Sequence, residues 1–309
     1  MTAEFNSLIW GMVYRLDQNR TLAGVALSVA GAIALILFLG ASRSEAVSVD
    51  QAGKAVIGEA RRGALTVPIA PAVADVAVTK AKVPGRPIVV IDPGHGGRDP
   101  GALAVSGEVS EKQLTLTLAR ELRERLAERG RVRVALTRES DKYLTLEDRA
   151  AIARHLGASL FLSLHMDSAP NPLARGASVY SLSDVASDAD AARFARAENA
   201  SGGYVAAAGD QVQAMLSDLA VRSQMSASAD LASRLVRKSG SRVGLRPEPH
   251  RFATFHVLRR AETAAVLFEA GYISNADDEL MLRDPKHRAA IVAALAETIE
   301  ADVALRNRR

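Results

Sequence analysis

Short apolar runs alternate with helical segments from about residue 88 onward, and this alternation limits the fold more than any other feature. Apolar runs bounded by turn residues are typical of buried strands, whereas apolar residues at i, i+4 spacing indicate helices. Because strands separated by helices usually run parallel between two helical layers, we predict an α/β fold with a single, mainly parallel, twisted sheet flanked by helices on both faces. The five strand-like runs are Ile88–Ile91, Val132–Leu136, Leu160–Leu164, Ser178–Leu182 and Ala265–Phe268.

Helix start and stop signals lie between these runs. Ser110 is a favourable N-cap residue, leucines follow it at i, i+4 spacing, and Gly130 ends the segment. Thr145 and Gly157 enclose a second helix in the same way, and residues 285–305 form the last one.

The connection between the fourth and fifth runs is unusually long. It has about 80 residues, whereas a crossover between parallel strands needs only about a dozen. We therefore predict a helical insertion at about residues 184–246, with helices over 186–199 and 226–240.

The chain begins with a membrane signal. Residues 22–41 contain no charged side chain, and a helix of that length spans a hydrocarbon core of about 30 Å. We predict an N-terminal segment and transmembrane helix (1–46), a linker (47–86) with a short helix near 51–62, and a catalytic domain (87–309). An uncleaved anchor is preferred because the run exceeds the usual length of a signal peptide core, although cleavage within residues 1–46 stays open. The catalytic domain is predicted to be exported whether the N-terminal segment is cleaved or stays as an anchor.

Composition removes several classes of function. The net charge of +4 comes from 39 basic and 35 acidic residues spread along the chain, which does not indicate a nucleic-acid partner. The chain has no cysteine, which excludes disulfides, thiolate metal sites and cysteine nucleophiles. Histidine, aspartate and glutamate remain as candidate metal ligands.

Three ionisable side chains follow or end three of the predicted strands. His95 lies in the glycine-rich turn "DPGHGGRDPGA", His165 ends "FLSLH", and Glu269 ends "AVLFE". Ligands of open parallel sheets bind in the crevice beyond the carboxyl ends of the strands, so these groups are candidates for one site. Taken singly, each residue also fits a structural role: a turn histidine, a core histidine, and a carboxylate paired with an arginine.

An open catalytic zinc site usually takes three protein ligands and leaves one position for water. Glu111, at the start of the first helix, is a candidate for the third ligand, and Glu108 competes with it. Spacing alone does not decide between the two glutamates.

Together, "VVIDPGHGGRDPGA", "SEKQLTLTLA", "FLSLHMDS" and "VLFEAGYISN" resemble the zinc-dependent N-acetylmuramoyl-L-alanine amidases of the bacterial cell-division type. The resemblance covers about residues 87–305. It implies Zn²⁺ bound by His95, Glu111 and His165, with Glu269 as the catalytic carboxylate. The implied reaction is hydrolysis of the amide between N-acetylmuramic acid and the L-alanine of the peptidoglycan stem peptide.

The resemblance also has implications for regulation and location. In relatives with a long insertion, a helix covers the zinc cleft until an activator displaces it. Glu198 is the residue nominated here as the inhibitory ligand, and a solvated carboxylate on the surface of the helix is the alternative. The implied partners are peptidoglycan and a divisome-linked LytM-type activator, and the uncharged residues 22–41 predict contact with the inner membrane. The enzyme would act on the periplasmic side of that membrane, or free in the periplasm or outside the cell if the N-terminal segment is cleaved.

Arg138 and Arg149 are interpreted as structural residues that pair with carboxylates. Two other functions stay open: a zinc carboxypeptidase-like hydrolase of another peptide, and a wall-binding protein without activity. The complete set of four site residues argues against the second of these.

Overall fold

The structure is a computed structural model that describes residues 46–49, 55–58, 76–201, 211–240 and 242–306. The chain divides into two units, Met1–Ile69 and Ala70–Arg309. In the first unit, strands β1 (Ala46–Val49) and β2 (Ala55–Gly58) pair in antiparallel fashion. The predicted helix over 51–62 is therefore wrong at β2, whose central residues are the β-branched valine and isoleucine that favour strands.

The predicted transmembrane stretch, residues 22–41, lies outside the described residues. Within the part of the chain that the structure describes, no helix has the length and apolar character needed to cross a membrane.

The second unit is built on one six-stranded sheet with the order β4-β3-β5-β8-β6-β7. Its strands are β3 (Ile88–Pro93), β4 (Arg133–Leu136), β5 (Leu160–Asp167), β6 (Ala177–Leu182), β7 (Leu245–Ala253) and β8 (Ala265–Tyr272). Its helices are α1 (Glu111–Arg129), α2 (Leu146–His155), α3 (Ala189–Ser201), α4 (Gln211–Ser239), α5 (His256–Arg260), α6 (Ala276–Arg283) and α7 (Pro285–Arg306).

The sheet is mixed, which corrects the prediction of a mainly parallel sheet. Strands β4, β3, β5 and β8 run parallel, but β6 pairs with β8 in antiparallel fashion, and β7 follows the direction of β6. Only residues 168–176 connect β5 to β6. This link is too short to return the chain to the opposite end of the sheet, so β6 starts where β5 ends and runs the other way.

Strand β7 is absent from the sequence prediction. It contains Pro247 and Pro249, which argue against a central strand because proline cannot donate a ladder hydrogen bond. The structure resolves the conflict by placing β7 at the edge of the sheet, where a missing donor is tolerated.

Helices cover both faces of the sheet, as predicted. One buried apolar cluster packs α1, α4 and α7 against the sheet, and a second packs α2, α3 and α5 against it. The predicted insertion contains α3 and α4, and its first helix lies over the second cluster through Ala191 and Ala195. The strands are therefore held rigidly at the positions from which the candidate site residues project.

The segment just before β3 also contacts the sheet. Val78 forms an antiparallel bridge with Ala135 of β4, and the amide of Lys82 donates to the carbonyl of Gly130. This stretch belongs to the segment 47–86 that the sequence analysis interprets as a linker.

Candidate active site

His95 lies in the tight turn after β3, with its side chain 6% exposed and a backbone φ of 58°. Its Nδ1 atom is 2.9 Å from Asp99 Oδ2, so the carboxylate fixes the orientation of the ring and directs Nε2 into the site. Asp99 was missed from the sequence. Its place four residues after His95 in the same turn is the signal that could have identified it.

Two glycines allow the site residues to come together. A Cβ atom at Gly94 would lie 2.4 Å from the His165 ring, and one at Gly101 would lie 2.6 Å from Glu111 Oε2 and 2.7 Å from His95 Cδ2. Gly101 also has a φ of 67°, which glycine adopts without strain. The glycine-rich turn is therefore shaped by contact with the site and not only by chain reversal.

His165 and Glu269 face each other across neighbouring strands. They are register partners on β5 and β8, at the centre of the sheet. Both are buried, at 6% and 0% exposure. The predicted convergence of strand-end residues is thus present in the fold.

Glu111 is the first residue of α1 and connects the two histidines. Its Oε1 atom lies 3.0 Å from His95 Nε2 and 3.0 Å from His165 Nδ1. The backbone amides of Ala102 and Met166 donate to its two oxygens at 3.0 Å each. Glu111 is therefore fixed between the histidines.

Glu108 is not part of this group. It lies at the surface and pairs with Arg283 at 2.7 Å. The geometry accordingly distinguishes the two glutamates that spacing could not.

Glu198 reaches the same point from α3. Its Oε2 atom lies 3.6 Å from His165 Nδ1 and 3.9 Å from His95 Nε2. One ligand atom from each of these three residues lies within 4.8 Å of the others. Residues from the β3 turn, α1, β5 and α3 thus converge, although they are widely separated in the sequence.

The carboxylates make the site strongly negative. Burial lowers the pKa of His95, but Glu111, Asp99 and Glu198 outweigh this effect and raise it to about 11. Burial also opposes ionisation of Glu111, but the adjacent His95 and His165 hold its pKa far below the usual range. A field that favours a cation so strongly also favours a bound metal ion.

The donor set can hold a divalent metal. His95 Nε2 is buried and has no hydrogen-bond partner among the described residues, although it points at the carboxylate of Glu111. Ligands at about 2.0 to 2.1 Å from a tetrahedral zinc ion are roughly 3.3 Å apart, which is close to the separations seen here. Two imidazoles and a carboxylate are a common catalytic zinc set.

Glu269 differs from these residues because its carboxylate makes no ion pair with any described residue. Both oxygens are buried without a hydrogen-bond partner in the described ranges. Burial first, and then the charges of Asp167, Glu111 and Glu198, raise its pKa well above the usual value. An arginine partner at the sheet rim, the structural alternative for this residue, is not found within the described chain.

Two buried arginines support the His95 turn. Arg149 pairs with Asp92 at 2.8 Å and donates to the carbonyls of Pro93 and His95. Arg138 donates to backbone carbonyls in the same region, including those of Pro93 and Gly94. The predicted carboxylate pairing therefore holds for Arg149, whereas Arg138 binds the main chain.

A family model described as N-acetylmuramoyl-L-alanine amidase matches residues 89–301. The chain belongs to this amidase family. It is 34% identical over 220 residues to the N-acetylmuramoyl-L-alanine amidase AmiA of Escherichia coli (strain K12), which covers 70% of this chain and 75% of AmiA. The amidase AmiC of Neisseria meningitidis serogroup B is 30% identical over 237 residues, covering 74% of this chain and 56% of AmiC.

A solved structure agrees with this assignment. The catalytic domain of CwlV, an N-acetylmuramoyl-L-alanine amidase from Bacillus (Paenibacillus) polymyxa var. colistinus, has 26% identity and a TM-score of 0.53, covering 70% of this chain and 97% of that one. These matches confirm the predicted family and enzyme class. The amidase acts on the peptidoglycan of the cell wall.

Proposed function

We propose that this amidase is zinc-dependent and that His95, Glu111 and His165 hold the metal. The observation that carries the proposal is the position of Glu111 Oε1 at 3.0 Å from one nitrogen of each histidine. Three ligands from separate elements leave a fourth position, the arrangement of catalytic zinc sites. Bound zinc would lower the pKa of a water molecule to about 7 and polarise the amide carbonyl.

Glu269 is proposed as the group that moves the proton. It lies directly across from His165, and its oxygens are not engaged by other described side chains. The positive charge of a bound metal would favour the ionised form of Glu269, and this carboxylate would then accept a proton from the water that attacks the carbon of the lactyl amide. It then delivers that proton to the nitrogen of L-alanine as the C–N bond breaks.

The zinc assignment is tested with two matched substitutions. Glu111→Gln is expected to lower zinc affinity at least about tenfold, since loss of even an outer-shell partner of a metal ligand commonly costs 10- to 100-fold. Glu108→Gln, three residues earlier and on the surface, is expected to keep the metal. The measurement is zinc content after dialysis against a competing chelator, together with amidase activity. Normal zinc content in Glu111→Gln would remove this residue from the ligand set.

The same site is proposed to be autoinhibited by α3. Glu198 approaches both histidines, and the cavity that these three side chains help to line has a volume of only about 20 Å³. This volume accommodates about one water molecule and no part of a peptide. Substrate therefore reaches the metal only after α3 moves.

Helix α3 is attached by contacts that can be broken. Phe194 packs between Tyr180 and Phe255, with ring centroids 5.3 and 5.6 Å away. Asn199 donates to the carbonyl of Thr254 and accepts from the amide of His256, both at 2.8 Å. A partner that binds α3 could replace these few contacts without unfolding the sheet.

The proposed partner is a divisome-linked activator of the LytM type, and the proposed role is cell-wall remodelling during daughter-cell separation. The need to displace α3 supports a protein activator. We further propose that residues 1–46 anchor the enzyme to the inner membrane through 22–41, that 47–86 act as a linker, and that 87–309 form the catalytic domain in the periplasm. The uncharged stretch at 22–41 supports the anchor.

A further inference from the structure

A second cavity lies beside the metal group, on the face of the sheet that α3 covers. Its volume is about 780 Å³, within the range of cavities that bind small ligands or peptide segments. Asp167, two residues after His165, and Tyr272, three residues after Glu269, both line it. The cavity therefore begins where the strands that carry the site residues end.

Helix α3 forms one wall of this cavity. Phe194 and Ala197 line it, and the next residue, Glu198, reaches the metal group. The helix that covers the site thus also borders the cavity.

Three arginines line the cavity, and they differ in their partners. Arg175 pairs with Asp277 at 2.9 Å, and Arg193 pairs with Asp190 at 2.8 Å. Arg246 makes no ion pair with any residue that the structure describes. Its described contact is a 2.7 Å hydrogen bond from Nη1 to the hydroxyl of Tyr272.

The guanidinium of Arg246 therefore retains donors in a half-buried position. Its charge partly offsets the burial that raises the pKa of the nearby Asp167 carboxyl group, without forming a described ion pair with it. A guanidinium binds a carboxylate through two parallel hydrogen bonds, which gives both affinity and orientation. Tyr272 restricts the movement of the side chain on one side. These features define a receptor for an acidic group, and the cavity volume of about 780 Å³ accommodates a short peptide that carries it.

We propose that this cavity binds the peptide on the amine side of the scissile amide and that Arg246 pairs with a carboxylate of that peptide. The proposal rests on the proposed function of the adjacent metal site. It makes Arg246 a specificity-determining residue, because it selects acidic stem peptides over amidated ones.

The test uses two synthetic muramyl peptides that differ only in the residue after L-alanine, whose carboxylate is free in one and amidated in the other. The full-length amidase is expected to show a KM about tenfold lower for the acidic peptide, the effect of one charge-assisted hydrogen-bonded pair, with little change in kcat. Arg246→Gln is expected to remove this difference, and Arg246→Lys to restore part of it.

Arg242→Gln is the matched control, because Arg242 pairs with Glu297 and does not line the cavity. It is expected to keep the preference. The proposal would be overturned by equal KM values for the two peptides in the wild-type enzyme, or by an unchanged preference in Arg246→Gln. Neither result would contradict the proposed metal site.

Binding of the free acidic and amidated peptides, measured by calorimetry, separates this proposal from the proposed function. The cavity is present while Glu198 still covers the metal group, so binding does not depend on catalysis. Selective binding that Arg246→Gln abolishes supports the cavity even if hydrolysis fails. Equal binding of both peptides contradicts it even if hydrolysis succeeds.

Discussion

Replacement of Glu269 by Gln is expected to lower amidase turnover at least about 100-fold while zinc content stays normal. Glutamine preserves the size of the buried side chain but cannot accept the proton of the attacking water. General acid–base groups contribute about 10²- to 10⁴-fold to rates, which sets this expectation. The measurement is the initial rate of hydrolysis of a synthetic muramyl peptide, with metal analysis of the same sample.

Glu300→Gln is the matched control for this substitution. Glu300 is also a buried glutamate, but it pairs with Arg129 on α1, away from the metal group. The folded Glu300→Gln enzyme is expected to keep the wild-type rate. Thermal melting verifies that this variant is folded. A Glu269→Gln enzyme with near wild-type turnover would exclude Glu269 as the proton carrier.

Replacement of Glu198 by Ala is expected to raise the activity measured without an activator about tenfold or more. The carboxylate lies within 4 Å of a nitrogen of each histidine, and opposite charges about 4 Å apart attract each other by roughly 1 to 4 kcal/mol between bulk water and a protein surface. Its loss shifts the population of α3 toward the displaced state by the corresponding factor. The measurement is the release of stem peptide from purified sacculi by the full-length enzyme.

Arg196→Ala serves as the control on the same helix, because Arg196 is exposed and lies outside the group of ligand atoms. It is expected to leave activity unchanged. The Glu198→Ala enzyme should also respond less to an added activator than the wild type. Equal basal rates for Glu198→Ala and the wild type would show that α3 does not restrain the enzyme.

The location of the site followed from the order of the strands. His95, His165 and Glu269 each come at the end of an apolar run, and the carboxyl ends of parallel strands meet at one edge of a sheet. Strands β3, β5 and β8 are indeed adjacent and parallel. Local pattern and general topology were sufficient here because each residue is fixed by the strand that precedes it.

The remaining features depend on contacts that no local pattern encodes. The direction of β6 follows from the short loop before it. The prolines of β7 argue against a strand unless its position at the edge of the sheet is known. The orientation of His95 depends on Asp99, and the choice of Glu111 over Glu108 depends on how α1 meets the turn. Glu198 was nominated through the family resemblance alone, and only the packing of α3 against the sheet brings its carboxylate to the histidines.

A crystal structure of the zinc-loaded amidase, with data collected at the zinc absorption edge, tests the central claim most directly. We expect one metal peak between His95 Nε2, His165 Nδ1 and Glu111, with the Glu198 carboxylate at the fourth position in the absence of an activator. A metal bound elsewhere, or a zinc ion between the histidines with Glu198 and α3 turned away, would contradict it.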